Sequence, residues 1–210
     1  MKTLGALLYP DFEMLDLYGP LEMFGALRDQ VRIVTVAQSA GPVKASQGPS
    51  TLAEFSFENV PALDYILVPG GLGTIPELEN EALLDFLRTH APGADVVMSV
   101  CTGSALLAKA SLLDGRRATT NKQFFDLARD QGPNTEWAEA ARWVEDYPYV
   151  TSSGVSAGTD MALAVIAQQF GAEAAETVAV YTEYQWHRDA ETDPFVAHLN
   201  EGTALLAQQG

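Results

Sequence analysis

The chain has 210 residues, 28 Asp and Glu against 12 Lys and Arg, and a formal net charge of −16. This acidity argues against nucleic acid or an anionic membrane as a partner, because binding phosphates requires a concentrated basic surface. Hydrophobic residues make up 47% and charged residues 19%, which is ordinary for a globular protein and, at this length, predicts one domain spanning residues 1–210.

Short apolar runs rich in β-branched residues predict strands buried in a sheet. The third and fourth of these runs, 43–45 and 50–53, predict a β-hairpin and not two separate sheet strands. The predicted strands are Leu4–Tyr9, Val31–Ala37, Val43–Ala45, Ser50–Ala53, Tyr65–Val68, Ala94–Val100, Arg117–Thr119, Ala141–Glu145 and Tyr149–Ser152.

Between these runs lie Ala- and Leu-rich or amphipathic segments, which predict helices. A first helix is predicted to begin near Gly19-Pro20, with Pro20 in its first turn, where a missing N–H is tolerated. The later helices are predicted at Asn80–Arg88, Ser104–Ala110, Lys122–Arg129, Ser156–Phe170 and Ala172–Tyr184. Strands alternating with helices predict an α/β fold, a mostly parallel sheet with helices on both faces.

Four segments with chemical potential fall at or just after the ends of predicted strands. They are Asp16, Gly70-Gly71, Cys101-Thr102 and Ser152–Gly154. Ligands of parallel α/β sheets bind beyond the carboxyl ends of the strands, so we expect these segments to converge on one site.

Cys101, the only cysteine, lies between a predicted strand and a predicted helix, on a tight turn eased by Gly103. Free N–H groups and the positive dipole end of a helix favour thiolate over thiol, which predicts a nucleophile at neutral pH. The alternative for a lone cysteine is a small buried core residue; the strand–turn–helix context favours the nucleophile.

Glycines after the strand 65–68 can expose backbone N–H groups to a ligand. Together with the Thr102 N–H, the Gly70-Gly71 turn is a candidate oxyanion hole; a plain turn is the alternative. Asp16 is flanked by Leu15 and Leu17, and partial desolvation would raise its pKa and suit it to proton transfer.

Other polar residues receive structural interpretations. An N-cap is the alternative role for Asp16, and Glu22 is the alternative carboxyl near the cysteine, although it is expected a helical turn or more further away. Asp160 is interpreted as an acid interacting with a helix dipole. The three histidines, His90, His187 and His198, are interpreted as structural or solvated. No His or acidic cluster has metal-ligand spacing, so we predict no metal and no cofactor.

Five segments occur in a characteristic order along the chain: Leu15–Glu22, Val68–Gly71, Ser99–Ser104, Leu112–Thr120 and Ser153–Asp160. Together they resemble the ThiJ/PfpI superfamily, relatives of the class I glutamine amidotransferases. The resemblance covers about residues 3–184, is greatest to the isocyanide hydratases and the sensor domains of AraC-type regulators, and leaves 185–210 as a C-terminal extension. In that extension and just before it, the aromatics of 183–187 and 193–195 could cover a pocket or interface, or pack on their own domain.

The resemblance implies a flavodoxin-like three-layer sandwich with Cys101 at a nucleophile elbow, a strained backbone there, and a homodimer. In isocyanide hydratases the matching cysteine attacks the isocyanide carbon, the matching aspartate handles protons, and water releases an N-substituted formamide. It therefore implies that Cys101 is the nucleophile and Asp16 the general acid/base, acting on a small electrophile. Oxyanion or substrate binding is implied for Gly70, Gly71, Leu72, Thr102, Gly103, Asn121, Gly154 and Val155.

One residue departs from the family pattern. Many members place a histidine where Asn121 follows Ala118-Thr119-Thr120. Asparagine cannot exchange a proton near pH 7, so a Cys–His dyad and protease or amidotransferase chemistry are not expected. A hydratase path through Asp16 tolerates this change better.

Three other functions stay open. They are glyoxalase-like or deglycase-like action on α-oxoaldehydes, redox or ligand sensing through Cys101, and a chaperone-like dimer with a vestigial site. Direct DNA binding is not expected, because the chain is acidic and lacks the further helix-turn-helix of the regulators. A single cysteine, a short N-terminal apolar run and the absence of 18 consecutive apolar residues predict a cytoplasmic protein without a membrane span.

Overall fold

A seven-stranded, mostly parallel sheet forms the centre of the structure, a computed structural model that describes residues 1–202. The strands of the molecule are β1 (Lys2–Leu7), β2 (Val31–Ala37), β3 (Gly41–Lys44), β4 (Ser50–Ala53), β5 (Phe55–Ser56), β6 (Tyr65–Val68), β7 (Val96–Val100), β8 (Arg117–Ala118), β9 (Glu136–Trp137), β10 (Trp143–Asp146) and β11 (Tyr149–Ser152). The central order is β10-β11-β7-β6-β1-β2-β5, and only β10 and β11 pair antiparallel. β3 pairs with β4, and β8 with β9, outside this sheet.

Among the described residues, seven helices cover the sheet in two groups. α1, α6 and α7 pack together, and α4 packs against β7 and against α2, α3 and α5. Their bounds are α1 (Met14–Gly25), α2 (Thr74–Glu77), α3 (Glu81–His90), α4 (Gly103–Lys109), α5 (Phe125–Gln131), α6 (Ala157–Phe170) and α7 (Ala172–Tyr181), with 3₁₀ turns at Ala91–Gly93 and Pro194–His198. In the part of the chain that is described, no helix has the length and apolar character needed to cross a membrane.

The strand order places a crevice where the functional segments were expected. The chain adds β2 and β5 on one side of β1, and then β6, β7 and β11 on the other. Such a reversal leaves a crevice beyond the carboxyl ends of β1 and β6, which is where open α/β sheets bind ligands. β6 and β7 are buried along their whole length, as expected for parallel strands covered on both faces. The predicted α/β sandwich is confirmed.

The first helix begins earlier than predicted. α1 starts at Met14 and Glu13 is its N-cap, so Pro20 lies inside the helix and Asp16 in its first turn. The prediction failed because proline was taken as a start signal. The burial of Leu17 and Phe24 on this helix outweighs the backbone bond that a proline removes.

Smaller differences concern the ends of elements. α5 begins at Phe125 and not Lys122, and α7 ends at Tyr181 and not Tyr184. The turn between β10 and β11 is formed by Tyr147-Pro148. The elements that were not predicted, β5, β9 and α2, have two to four residues each and are too short for a periodic pattern. The extent of the predicted single domain and its C-terminal extension stays a prediction, and residues 203–210 lie outside the described residues.

Candidate active site

Cys101 occupies a strained turn between β7 and α4. Its φ of +57° is in the left-handed region, which is uncommon for a residue with a side chain. Three hydrogen bonds hold this backbone: the Cys101 N–H donates to Ser153 O at 3.1 Å, and the Cys101 carbonyl accepts from Thr120 Oγ1 at 2.9 Å and from Ser104 Oγ at 3.1 Å. The expected strand–elbow–helix arrangement and its backbone strain are therefore present.

Gly103 allows the elbow to approach the end of β6. A Cβ atom at this position would overlap the carbonyl oxygens of Val68 and Pro69. Any side chain would push the first turn of α4, and the cysteine before it, away from the neighbouring strand. Gly103 therefore serves the packing of the elbow and does not line the cavity described below.

Asp16 is completely buried in the first turn of α1, and the Cys101 thiol interacts with its carboxyl group. Its Oδ2 accepts from the Gly70 N–H at 2.8 Å, while its Oδ1 is buried without an aligned hydrogen-bond partner. Burial raises the pKa of Asp16 to about 8, and the bond from Gly70 offsets only part of this effect. Glu22, the alternative carboxyl, is exposed to solvent.

The thiol itself does not ionise as the sequence predicted. Burial, and then the charge of Asp16, raise the pKa of the Cys101 thiol well above its usual value, although the Thr102 N–H and Asn121 oppose this. Only 6% of the residue is exposed, and the helix that follows has seven residues, so desolvation outweighs the helix dipole. Cys101 and Asp16 form a coupled pair whose members do not both ionise near neutral pH.

Asn121 contacts the sulfur directly. Its Nδ2 donates to Cys101 Sγ at 3.1 Å, and its Oδ1 accepts from the Phe124 N–H at 3.1 Å, which fixes the direction of the amide. The missing side chain of Gly154 makes room for it, because a Cβ there would lie 2.5 Å from Asn121 Nδ2. The residue that replaces the family histidine is therefore a neutral hydrogen-bond donor to the nucleophile candidate.

The predicted oxyanion donors lie together, but two of them already have partners. The Gly71 N–H donates to Thr102 Oγ1 at 3.1 Å, and the Gly70 N–H is bound to Asp16. The Thr102 N–H interacts with the Cys101 sulfur. Of the donors predicted for an oxyanion hole, the Thr102 N–H is thus the one placed at the reacting atom.

A cavity of about 240 Å³ opens onto Cys101 and Thr102. Its wall is largely apolar and includes Val155, whose φ of +46° is a strong outlier for a β-branched residue. Larger grooves of about 570 and 480 Å³ lie elsewhere and are lined by neither Cys101 nor Asp16. The wall of the small cavity consists of Glu13, Gly71, Leu72, Ile75, Cys101, Thr102, Asn121, Gln123, Phe124, Leu127 and Val155.

Five of these wall residues were missed by the sequence analysis. They are Glu13, the N-cap of α1, Ile75 in α2, and three residues where the chain enters α5: Gln123, Phe124 and Leu127. No motif marks them. The one available signal was the apolar character of Phe124 and Leu127 within the predicted helix Lys122–Arg129, from which no cavity wall was inferred. Among residues 1–202, no group of three or more His, Cys, Asp or Glu side chains is placed to hold a metal ion.

Asp160 does more than interact with a helix dipole, so its interpretation is corrected. It forms a buried ion pair with Arg142, whose Nε and Nη2 donate to Asp160 Oδ2 at 2.8 and 2.6 Å. Its Oδ1 accepts from the Tyr184 hydroxyl at 3.1 Å and the His187 N–H at 2.9 Å. Arg142 was not singled out in the sequence because its partner is 18 positions away. This network attaches the C-terminal segment to α6.

The C-terminal segment packs on its own domain. The Asn200 N–H donates to the Lys122 carbonyl at 2.8 Å, and the Gly202 N–H to the Gln123 carbonyl at 3.1 Å. Gly202 lies so close to Phe124 that a Cβ would come within 2.7 Å of its ring. The segment therefore supports the outer side of the loop that carries Asn121.

The fold and the site define an α/β protein with a cysteine elbow beside a buried carboxyl group. Residues 3–168 match the model of the DJ-1/PfpI family, and the chain belongs to this family. A protein from Pseudomonas putida named isonitrile hydratase is 39% identical over 183 residues, covering 86% of this chain and 78% of its own length. The structure of a ThiJ/PfpI family protein from Pseudomonas syringae has a TM-score of 0.83 and 31% identity, covering 99% of this chain and 86% of that one.

Transcriptional regulators are also similar to this chain. The HTH-type transcriptional regulator CdhR from Pseudomonas aeruginosa is 29% identical over 177 residues, covering 82% of this chain. The chain spans about half of that regulator, 52% of its length.

Proposed function

We propose that the protein is a cysteine-dependent hydratase that converts isocyanides to N-substituted formamides. The carrying observation is the pairing of the only cysteine, held in a left-handed elbow that lines a small cavity, with a fully buried carboxyl group, Asp16, behind it. The 39% identity to an isonitrile hydratase supports the same chemistry.

The protonated pair suits the first step. An isocyanide carbon carries a lone pair and accepts a proton, and Asp16, whose pKa is raised to about 8, holds one at neutral pH. Asp16 gives its proton to this carbon, the Cys101 sulfur forms a bond to the same carbon, and the thiol proton passes to the Asp16 carboxylate. The product is a thioimidate on Cys101, and Asp16 is protonated again.

The second step uses the same carboxyl group. Water adds to the thioimidate carbon while Asp16 gives a proton to the nitrogen and takes one from the water. The carbon–sulfur bond then breaks as the new carbonyl forms, and the hydroxyl proton returns to the Cys101 sulfur. The sum is addition of one water to the isocyanide. The Thr102 N–H and the Asn121 amide stabilise charge on the sulfur as it is attached and released.

The cavity fits an uncharged substrate with an apolar substituent. Leu72, Ile75 and Phe124 offer apolar surface opposite Cys101, and a volume of about 240 Å³ suits a small alkyl or aryl group. Gly70, Gly71 and Gly154 act indirectly, by positioning Asp16, Thr102 and Asn121. Val155 lines the cavity beside the thiol.

The test is turnover of an alkyl isocyanide, followed as formamide by mass spectrometry, with methylglyoxal assayed in parallel. We expect formamide from the wild-type protein, none from Cys101→Ala, and a Cys101 adduct with the mass of the intact isocyanide when the reaction is quenched. Full turnover in Cys101→Ala would rule out covalent catalysis. Turnover of methylglyoxal without isocyanide turnover would favour the α-oxoaldehyde alternative.

The site offers little support for redox sensing, because easy oxidation requires an exposed thiolate and Cys101 is buried with a raised pKa.

We also propose that the protein is a cytoplasmic homodimer. An apolar patch of Leu15, Tyr18 and Leu52, each 44–64% exposed, supports the dimer. The hydrogen bond of 2.7 Å between the hydroxyl groups of Tyr18 and Thr51 joins α1 to β4, the strand that carries Leu52.

A further inference from the structure

Tyr9 is a buried tyrosine whose hydroxyl ends a hydrogen-bond chain that starts at the active site. It donates to the Pro69 carbonyl at 2.6 Å, so its single hydrogen is used and it accepts from Thr74 Oγ1 at 3.1 Å. Thr74 then accepts from Thr102 Oγ1 at 2.9 Å, and Thr102 accepts from the Gly71 N–H at 3.1 Å. All four bonds point from Gly71 towards Pro69.

The direction of the chain follows from counting hydrogens. The Thr102 hydroxyl has two other acceptors near it, the Gly71 carbonyl at the longer distance of 3.3 Å and the Cys101 sulfur. If its hydrogen pointed to either of them, the oxygens of Thr102 and Thr74 would face each other at 2.9 Å with no hydrogen between them. Donation from Thr102 to Thr74 is therefore the arrangement that satisfies every oxygen.

This hydrogen-bond chain ends on the peptide group that binds Asp16. The Pro69 carbonyl and the Gly70 N–H belong to one peptide, and this N–H donates to Asp16 Oδ2 at 2.8 Å. Hydrogen bonds in series polarise one another, so donation from Tyr9 to the carbonyl strengthens donation from the N–H. We propose that Tyr9 is a positioning residue that orients and polarises this peptide, which in turn holds the Asp16 carboxyl beside Cys101.

Three titratable groups act on Asp16: Glu13, Cys101 and Tyr9. Burial keeps the pKa of Tyr9 well above its usual value, so its hydroxyl stays a donor over the working pH range. Replacing Tyr9 by Phe leaves Glu13 and Cys101 in place. A change in the pKa of Asp16 would then report on the Pro69–Gly70 peptide group, which links Tyr9 to Asp16 through hydrogen bonds.

The experiment is a carboxyl ¹³C NMR titration of Asp16 in the full chain, with its signal identified by its loss in Asp16→Asn. Without the Tyr9 hydroxyl the Gly70 N–H is a weaker donor to the carboxylate, so Tyr9→Phe should raise the pKa of Asp16 by roughly half a pH unit. Thr74→Val interrupts the hydrogen-bond chain one link earlier. This variant should also raise the pKa of Asp16, by a smaller amount than Tyr9→Phe. Tyr65→Phe, which removes the hydroxyl of another buried tyrosine, should leave the pKa of Asp16 at the wild-type value.

This inference rests on the pairing of Asp16 with Cys101 in the proposed function, but its readout does not require turnover. A shifted titration in a protein that hydrates no isocyanide would preserve the role of Tyr9 and reject the proposed substrate. If Tyr9→Phe folds and the pKa of Asp16 is the same as in the wild-type protein, the proposed role of Tyr9 is wrong. If Tyr9→Phe does not fold, Thr74→Val decides in the same way, since an unchanged titration there also overturns it.

Discussion

Single residues divide into those whose role follows from local sequence and those whose chemistry depends on burial. The elbow at Cys101 was predictable, because a buried strand, a cysteine, a glycine and a helix follow one another within a few residues. The direction of its pKa was predicted wrongly. The sequence shows the helix N-terminus that lowers a thiol pKa, but the burial that raises it is created by segments far away along the chain.

Asp16 and Glu22 offer a direct comparison of two carboxyl groups on α1. Asp16→Asn removes the group that delivers and accepts protons, so we expect isocyanide turnover to fall by about 10²–10⁴-fold. Because the charge of Asp16 raises the pKa of Cys101, the same variant should alkylate at a lower pH than wild type. Turnover and the pH profile of iodoacetamide alkylation check both points.

Glu22→Gln is the matched control on the same helix, because Glu22 is exposed. It should keep wild-type turnover and alkylation. Loss of turnover in Glu22→Gln with normal turnover in Asp16→Asn would show that Glu22, and not Asp16, transfers the proton.

Among the helices and strands, those with a clear pattern of apolar residues in the sequence were predicted, and those positioned by packing were not. β2, β6 and β11 have the predicted bounds, because their apolar runs are flanked by turn residues. α1 was misplaced, since its first turn is fixed by burial of Asp16 and Leu17 and not by a start signal. The start differs by five to six residues (Met14 against Gly19-Pro20), and this difference moves Asp16 from a position before the helix into its buried first turn.

The start of α5 is supported by the C-terminal segment. Asn200 Oδ1 accepts from the Asp126 N–H at 2.8 Å, which satisfies one of the free donors of the first turn. Asn200→Ala should destabilise the protein by about 1 kcal/mol. It should also raise KM for an isocyanide, because the loop that carries Asn121 and Phe124 loses support. Urea unfolding and steady-state kinetics measure the two effects.

Asn59→Ala is the control for this change. Its Oδ1 accepts from the Ser56 N–H at 2.8 Å in an exposed turn, and it does not line the cavity. We expect a comparable loss of stability and an unchanged KM. Equal KM values in Asn59→Ala and Asn200→Ala would show that the C-terminal segment does not support the cavity wall.

For the whole molecule, convergence of the site was predictable and its shape was not. The rule for parallel sheets places Asp16, Gly70 and Cys101 at one edge without any knowledge of distances. The cavity depends on how α2 and the segment entering α5 pack over that edge, which brings Ile75 and Phe124 together from 49 positions apart (124 − 75). No local pattern encodes such a contact.

The proposed dimer predicts how a surface charge changes the mass in solution. If the patch of Leu15, Tyr18 and Leu52 is the interface, Leu52→Glu places two like charges against an apolar surface and should shift the protein from dimer to monomer, the 22.6 kDa of one chain. Val180→Glu, at an exposed apolar residue of α7, should leave the dimer intact. Analytical ultracentrifugation measures both. A dimer that persists in Leu52→Glu would place the interface elsewhere.

Asp16 also makes the stability of the whole molecule depend on pH. Its pKa is about 8 in the folded protein and 3.8 in its ordinary state, so between these values the folded chain binds a proton that the unfolded chain does not. The free energy of unfolding therefore falls as pH rises, by up to about 1.4 kcal/mol per pH unit from this group. Asp16→Asn does not titrate, so its stability relative to wild type should rise by about 2–4 kcal/mol from pH 5 to pH 8.

Urea unfolding of both proteins at the two pH values measures this double difference, in which the other titrating groups cancel. A double difference near zero for Asp16→Asn would mean that the Asp16 carboxyl ionises in the folded protein as it does in water. The proton that the first step of hydration requires would then be absent at neutral pH.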